Sequence, residues 1–177
     1  LDMDTVCSED SYTTALLAAG SVIHLTELAM NREIEAGFAF ARPPGHHALR
    51  SRAMGFCIFN NIAIAARKAL KSFGMKRVMI VDFDVHHGNG TQDSFYAESK
   101  VLYFSTHQYP FYPGTGSVSD TGKGEGLGYT VNCPLSAGKR DGHYIAVYRY
   151  VLAPIIQAYE PELILVSAGF DAHAMDP

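Results

Sequence analysis

The chain has 177 residues, 47% of them apolar and 18% charged, which is enough to close a sizeable core and excludes a disordered segment. A formal net charge of −4 argues against a partner bound through nucleic-acid electrostatics. The three cysteines, Cys7, Cys57 and Cys133, are odd in number and widely spaced, which excludes a disulfide framework and fits a reducing compartment.

In chain order, an Ala- and Leu-rich stretch from about Ser11 to Asn31 predicts a helix, with Ser11 as its N-cap. Phe38 to Ala41 reads as a short apolar strand stopped by Pro43 and Pro44. After the Arg42–Ala48 loop and the Met54–Asn61 stretch, Asn60 or Asn61 caps a helix running to about Phe73. Its core stripe is Ile62, Ala66, Ala69, Leu70 and Phe73, and Gly74 ends it. Val78 to Val81 is apolar and β-branched, a buried strand. A short helix around Thr91 to Tyr96 leads to a strand at Val101–Ser105, and residues 106–128 form a long Gly-, Pro- and Tyr-rich loop. A further strand is expected at Tyr129–Pro134, a helix at Gly142–Tyr159 kinked at Pro154, and a last strand at Leu163–Ser167. Strands alternating with helices predict an α/β fold with a mainly parallel sheet. No run reaches the length of a membrane span and no signal-peptide pattern opens the chain, so a cytoplasmic protein without a membrane partner is expected.

Chemistry gathers where predicted strands end. Nine residues, Asp82 to Gly90, hold two carboxylates and two imidazoles. Strand alternation puts Asp82, Asp84 and His86 on one face and His87 on the other. In a parallel sheet the segments holding His46 and His47, His86, and Asp171 meet at one edge, where such folds place their ligands. Asp84, His86 and Asp171 then form a two-carboxylate, one-histidine set that leaves positions for water and substrate, as catalytic zinc does. Iron or cobalt suits the same donors. His46 and His47 are candidates for proton transfer, with Asp82 and Asn89 fixing their tautomers. His107 is a lesser candidate on the long loop, His24 and His143 are expected on helix surfaces, and His173 is expected to be structural. Phe56 and Tyr112 could form an apolar slot at the mouth of the site.

Four motifs carry a family resemblance: Arg-Pro-Pro-Gly-His-His-Ala at 42–48, Gly-Phe-Cys-Ile-Phe-Asn-Asn at 55–61, Val-Asp-Phe-Asp-Val-His-His-Gly-Asn-Gly-Thr-Gln at 81–92, and Ser-Ala-Gly-Phe-Asp-Ala-His at 167–173. In that order they resemble the histone deacetylase superfamily, most closely its class II and bacterial members. The resemblance implies a three-layer α/β/α arginase/deacetylase-like fold and zinc-dependent hydrolysis of an acylated amine, with an N-acetyl-lysine peptide or an acetylated small amine as substrate. A non-catalytic acyl-lysine-binding homologue is the alternative of another class. By the same resemblance Asp84, His86 and Asp171 are metal ligands, and His46 and His47 are the tandem catalytic histidines, with His47 as general base. Asp82 stands behind His46. Asp4 accepts the substrate amide N–H, and Gly55, Phe56 and Tyr112 line the acyl-lysine tunnel. Asp82, Asp84, His86, Ser105 and Thr106 contribute to a structural potassium site. Asn89 replaces the aspartate of class I members, and Tyr112 replaces a more usual phenylalanine. Residues 1–177 then form a single, partial catalytic domain, since the chain opens at Leu1 and stops at Pro177, ahead of the family's transition-state tyrosine. That expectation predicts a weakly active or inactive piece whose exposed last strand promotes aggregation or oligomerisation, or a sequence that omits residues of the full protein; no particular oligomeric state is assigned.

Overall fold

A computed structural model of the chain describes residues 2–176. Leu1 and Pro177, on which the expectation of a partial domain leaned, lie outside the described residues. The chain divides into two compact units, one comprising the residues up to Met75 together with Asn89–Ser94, the other Lys76–Gly88 together with the residues from Phe95 onward.

The first unit is helical. Helix α1, Ser11–Met30, packs against α2, Asn61–Ser72. Small side chains make the close approach: Ala15, Ala18 and Ala19 of α1 and Ala65, Ala66 and Ala69 of α2 are buried. The N-cap of α1 is Asp10, not Ser11, and the Ser11 hydroxyl instead accepts from the Ser8 amide at 2.7 Å. By length and composition α1 also qualifies as a membrane-crossing helix, contrary to the reading that no run of that length exists. The Asn60 side chain caps α2 by accepting from the Ala63 amide at 3.1 Å, a contact of the kind that contributes about 1 kcal/mol. Phe38 to Ala41 is not a strand. Phe38 is 55% and Phe40 94% exposed, so this apolar run has neither a covered face nor a ladder partner among the described residues. A seven-residue helix, α3 (Asn89–Phe95), contributes its first turns to this unit.

The second unit is built on a four-stranded, all-parallel sheet. Its strands are β1 (Val78–Asp82), β2 (Val101–Gln108), β3 (Thr130–Leu135) and β4 (Leu163–Ser167), in the order β3-β2-β1-β4. β1 is buried along its whole length, as a central parallel strand requires. On one face Met79, Val81, Leu102 and Phe104 form a core with Leu152, joined by Val147, Tyr148, Ile155, Ile156 and Tyr159. Those helical residues come from α4 (Asp141–Val147), a π-helical turn at Tyr148–Leu152, and α5 (Ala153–Tyr159). The expected kink at Pro154 is thus a π turn: proline has no N–H for the i−4 carbonyl, and the wider turn before it absorbs the missing bond. β4 is an edge strand with Ile164 and Val166 43% and 47% exposed.

β2 runs three residues further than its apolar segment suggests. Ser105, Thr106 and His107 are all fully buried strand residues, so the loop that follows begins after Gln108 rather than at Thr106. The register is what matters for function. Asp82 at the C-terminal end of β1 pairs with Ser105 of β2 and with Ser167 of β4. The segments leaving β1 and β4 therefore start side by side at one edge of the sheet.

Candidate metal centre and histidine pair

β1 stops at Asp82, and residues 83–88 are irregular. Alternation along a strand therefore does not bring Asp84 and His86 together, nor does it set the direction of His87. A side-chain turn does so instead: Asp84 Oδ1 accepts from the His86 amide at 2.8 Å, folding the carboxylate back over the residue two positions on. Asp82 Oδ1 in turn accepts from the Asp84 amide at 3.3 Å. From the neighbouring strand end, Asp171 Oδ1 accepts from the Val85 amide at 2.9 Å, leaving its second oxygen 2.9 Å from His86 Nδ1. Each carboxylate is aimed by a backbone donor.

The result is a group of three ligand atoms, from Asp84, His86 and Asp171, all within 4.8 Å of one another. His86 Nδ1 lies 3.1 Å from Asp84 Oδ1 as well as 2.9 Å from Asp171 Oδ2. One ring N–H facing two carboxylates marks a place that wants positive charge. In metal-free protein the hydrogen bond to Asp171, then that to Asp84, holds the His86 pKa up at about 9 against the opposing effect of burial. The imidazolium proton thus stands in for a cation, and two carboxylate oxygens with one imidazole nitrogen fit zinc, iron or cobalt.

Two expectations follow. The backbone of Gly169 passes so close that a Cβ there would lie 2.0 Å from Asp84 Oδ2. Gly169→Ala must displace that carboxylate, and metal affinity should fall about 10–100-fold, the range seen when a ligand loses its orienting support; a chelator competition titration measures it. The raised His86 pKa also sets a pH dependence. In metal-free protein its contribution to stability is complete below the ordinary value of 6.5 and is lost as pH rises through about 9. The melting temperature in chelator should therefore drop between pH 6.5 and 9 relative to metal-loaded protein, which has no such proton to lose.

The ring of His86 is itself stacked. Phe111 lies over it at a centroid distance of 5.0 Å and 17° between planes, and Tyr112 meets it edge-on at 6.0 Å. Sequence reasoning named Tyr112 and missed Phe111, although its place beside Tyr112 in the same Gly- and Pro-rich loop was signal enough. Tyr103 was also missed. Its hydroxyl donates to Asp82 Oδ2 at 3.2 Å, and burial together with the Asp82 charge pushes its pKa well up, so it stays a donor. Its register partner is Ile80, two residues before Asp82, which makes it a diagonal neighbour of that carboxylate. Ser105 and Thr106 are buried, with their hydroxyls 2.9 Å from His107 Nδ1 and 2.9 Å from the Tyr148 hydroxyl respectively. His107, expected on a loop, is a fully buried β2 residue. His173, His24 and His143 are exposed.

In the helical unit, His46 and His47 are 7% and 4% exposed, with ring centroids 4.0 Å apart. They do not follow a strand. The His46 carbonyl accepts from the amides of Gly90 and Thr91 at 3.0 and 3.1 Å, using two of the orphan donors at the start of α3. One residue earlier, Asn89 places Oδ1 2.8 Å from His47 Nδ1. An amide oxygen only accepts, so Nδ1 of His47 carries the proton and Nε2 carries the lone pair. The expected partnership of Asn89 with this pair is thus present.

The turn at Gly55–Phe56 lies against His47, and a Cβ at Gly55 would meet its ring at 2.3 Å. Phe56 has φ +65° and is 61% exposed, a strained backbone for a bulky residue of the kind that functional loops retain. Asp4 is exposed, and the carboxylate that reaches this turn is Asp2. Its Oδ2 accepts from the Gly55 amide at 3.0 Å, while Thr5 Oγ1 accepts from the Phe56 amide at 3.3 Å.

The family model for the histone deacetylase domain matches residues 1–177. The chain belongs to the histone deacetylase family. Among its relatives in that family, "Histone deacetylase 14, chloroplastic" of Arabidopsis thaliana is 47% identical over 98% of the chain, and "Polyamine deacetylase HDAC10" of Danio rerio is 44% identical over 98%. The chain spans 42% and 27% of these two proteins' lengths, less than half of each. The crystal structure of the HDA15 HD domain covers 99% of the chain at a TM-score of 0.97 and 46% identity, and the match takes in 52% of that structure. The α/β fold with a parallel sheet expected from the sequence is the fold of this histone deacetylase relative.

Proposed function

We propose that residues 1–177 belong to one catalytic domain that hydrolyses N-acyl amides, with an N-acetyl-lysine peptide as substrate and a divalent ion, zinc, at Asp84, His86 and Asp171. The observation that carries this reading is the convergence of those three ligand atoms within 4.8 Å, each carboxylate aimed by a backbone amide. A bound ion would supply Lewis acidity, polarising the amide carbonyl and lowering the pKa of water.

The chain's own residues do the rest. His47 takes a proton from the attacking water on Nε2, with Nδ1–H held by Asn89 Oδ1. Water oxygen bonds to the carbonyl carbon, the C–N bond breaks, and the proton returns to the leaving amine, giving a carboxylate and a free amine. His46 shares this proton traffic, Asp82 supports the metal turn by accepting from the Asp84 amide, and Phe56 and Tyr112 are the aromatics assigned to the acyl chain. Asn89 is neutral, so it supports the imidazolium of His47 less than an aspartate would. A structural potassium ion is proposed at Asp82, Asp84, His86, Ser105 and Thr106, since Asp82 is a fully buried carboxylate and a hard cation takes oxygen ligands. Residence in the cytoplasm is proposed on the three free cysteines.

A second reading, an acetylated polyamine as substrate, draws on the polyamine deacetylase relative. Turnover of an acetyl-lysine peptide against acetylspermidine, with metal content measured on the same preparation, tests both. Faster peptide hydrolysis supports the first reading and faster acetylspermidine hydrolysis the second. A metal-loaded protein that binds acetyl-lysine and hydrolyses neither would make it an acyl-lysine-binding protein.

A further inference from the structure

Two buried imidazoles of the sheet unit have no part in that chemistry. His87 is 1% exposed and His107 is fully buried, and their rings lie 4.7 Å apart. His107 Nε2 sits 2.8 Å from the Gly116 carbonyl. A carbonyl only accepts, so Nε2 carries the proton and Nδ1 accepts from the Ser105 hydroxyl at 2.9 Å. Burial lowers the His107 pKa and keeps the ring in this neutral tautomer. His87 Nδ1 lies 2.7 Å from the Thr115 hydroxyl. Two rings thus hold two consecutive residues, Thr115 and Gly116. The approach leaves no room for a side chain: a Cβ on Gly116 would lie 2.4 Å from His107 Nε2 and 2.6 Å from His87 Cγ, and φ there is +90°.

The held residues end a short segment. Its start is fixed too, because the Gln108 amide donates to the Val85 carbonyl and the Tyr109 amide to the Leu135 carbonyl, each at 2.8 Å. Between these anchors lie Phe111 and Tyr112, the two aromatics against the His86 ring. Phe111 is 43% exposed, so packing alone does not fix it. We propose that His87 and His107 are positioning residues, a pair of imidazoles that clamps the 109–116 segment and so keeps Phe111 and Tyr112 seated at His86 to receive the acyl chain. The catalytic consequence rests on the amidohydrolase reading above; the clamp itself does not.

The chain contains no tryptophan, so Phe111→Trp places a lone fluorophore on the segment. In that background His107→Leu and Thr115→Val should each lower fluorescence anisotropy and raise acrylamide quenching. His107→Gln, whose amide N–H can still donate to Gly116, should restore both. Without the reporter, His107→Leu and Thr115→Val should raise KM for an acetyl-lysine peptide about 10-fold or more, as expected when a positioned group is loosened, with kcat kept within a few-fold. Thr115 is exposed, so Thr115→Val tests the clamp even if His107→Leu fails to fold. Unchanged anisotropy in Thr115→Val and in any folded His107→Leu would overturn the proposal, as would a His107→Gln variant as loose as His107→Leu. If the protein hydrolyses no acyl amide at all, the amidohydrolase reading fails, and the fluorescence comparison still decides for or against the clamp.

Discussion

Replacing Asp171 by alanine is expected to abolish both metal retention and hydrolysis. Asp171 is the only ligand of the proposed set from β4's end of the sheet, and its two oxygens hold two different groups, the Val85 amide and His86 Nδ1. Its removal frees the 83–88 turn on one side and leaves Asp84 and His86 as a two-ligand remnant. Loss of an outer partner alone typically costs 10–100-fold in metal affinity, so loss of a ligand should cost more than about 10²-fold. Metal analysis after dialysis, with an acetyl-lysine peptide assay alongside, measures both effects. The His86 pKa should fall in parallel, because Asp171 is the largest contributor to its elevation; an NMR titration of the His86 ring reads this in metal-free protein. A variant that kept its metal and turned over normally would remove Asp171 from the site.

His47→Ala separates chemistry from binding. Turnover should fall by about 10²–10⁴-fold, the usual contribution of a positioned acid–base group, while metal content stays at the parental level. Asn89→Asp provides the converse. An aspartate in place of the amide at 2.8 Å from Nδ1 would favour the imidazolium, so the acidic limb of the kcat/KM profile should move to higher pH. If His47→Ala left turnover intact, the proton would have to travel by another group, and the role given to the Asn89 contact would fall with it.

The residues of the proposed metal set stood out because a buried β-branched run, Val78 to Val81, ends in Asp and His, and because the last apolar run ends just short of Asp171. The geometry behind them was not. Strand alternation was the stated reason for grouping Asp82, Asp84 and His86, yet the strand ends at Asp82 and an Asp84 side-chain turn makes the contact. Local hydrogen bonding by a short polar side chain leaves no periodicity to read. Polarity also hid the end of β2. Thr106 and His107 look like loop residues, but the Thr106 hydroxyl partners Tyr148 and the His107 ring partners the Ser105 hydroxyl, so they can be buried without an unmet bond. The reverse error occurred at Phe38–Ala41, where an apolar run was taken for a strand although no strand among the described residues pairs with it. The Asp-x-Asp-Thr stretch was read for Asp4 alone, and nothing in its pattern signals that Asp2 holds the Gly55 turn.

The register that seats Ser167 beside Asp82 also sets a timetable for assembly. Asp84 and His86 are separated from Asp171 by more than 80 residues of chain, so the contact between them is one of high sequence separation and closes late. During synthesis, a chain that has emerged through β2 and β3 already carries two of the three metal-seeking groups but has no β4 to carry the third into place. For the proposed metal set, ion capture would thereby be deferred until the sheet gains its last described strand. A chain not yet assembled through β4 would lack the Asp171 ligand, and metal loading at the proposed site would then report that this edge of the sheet has closed.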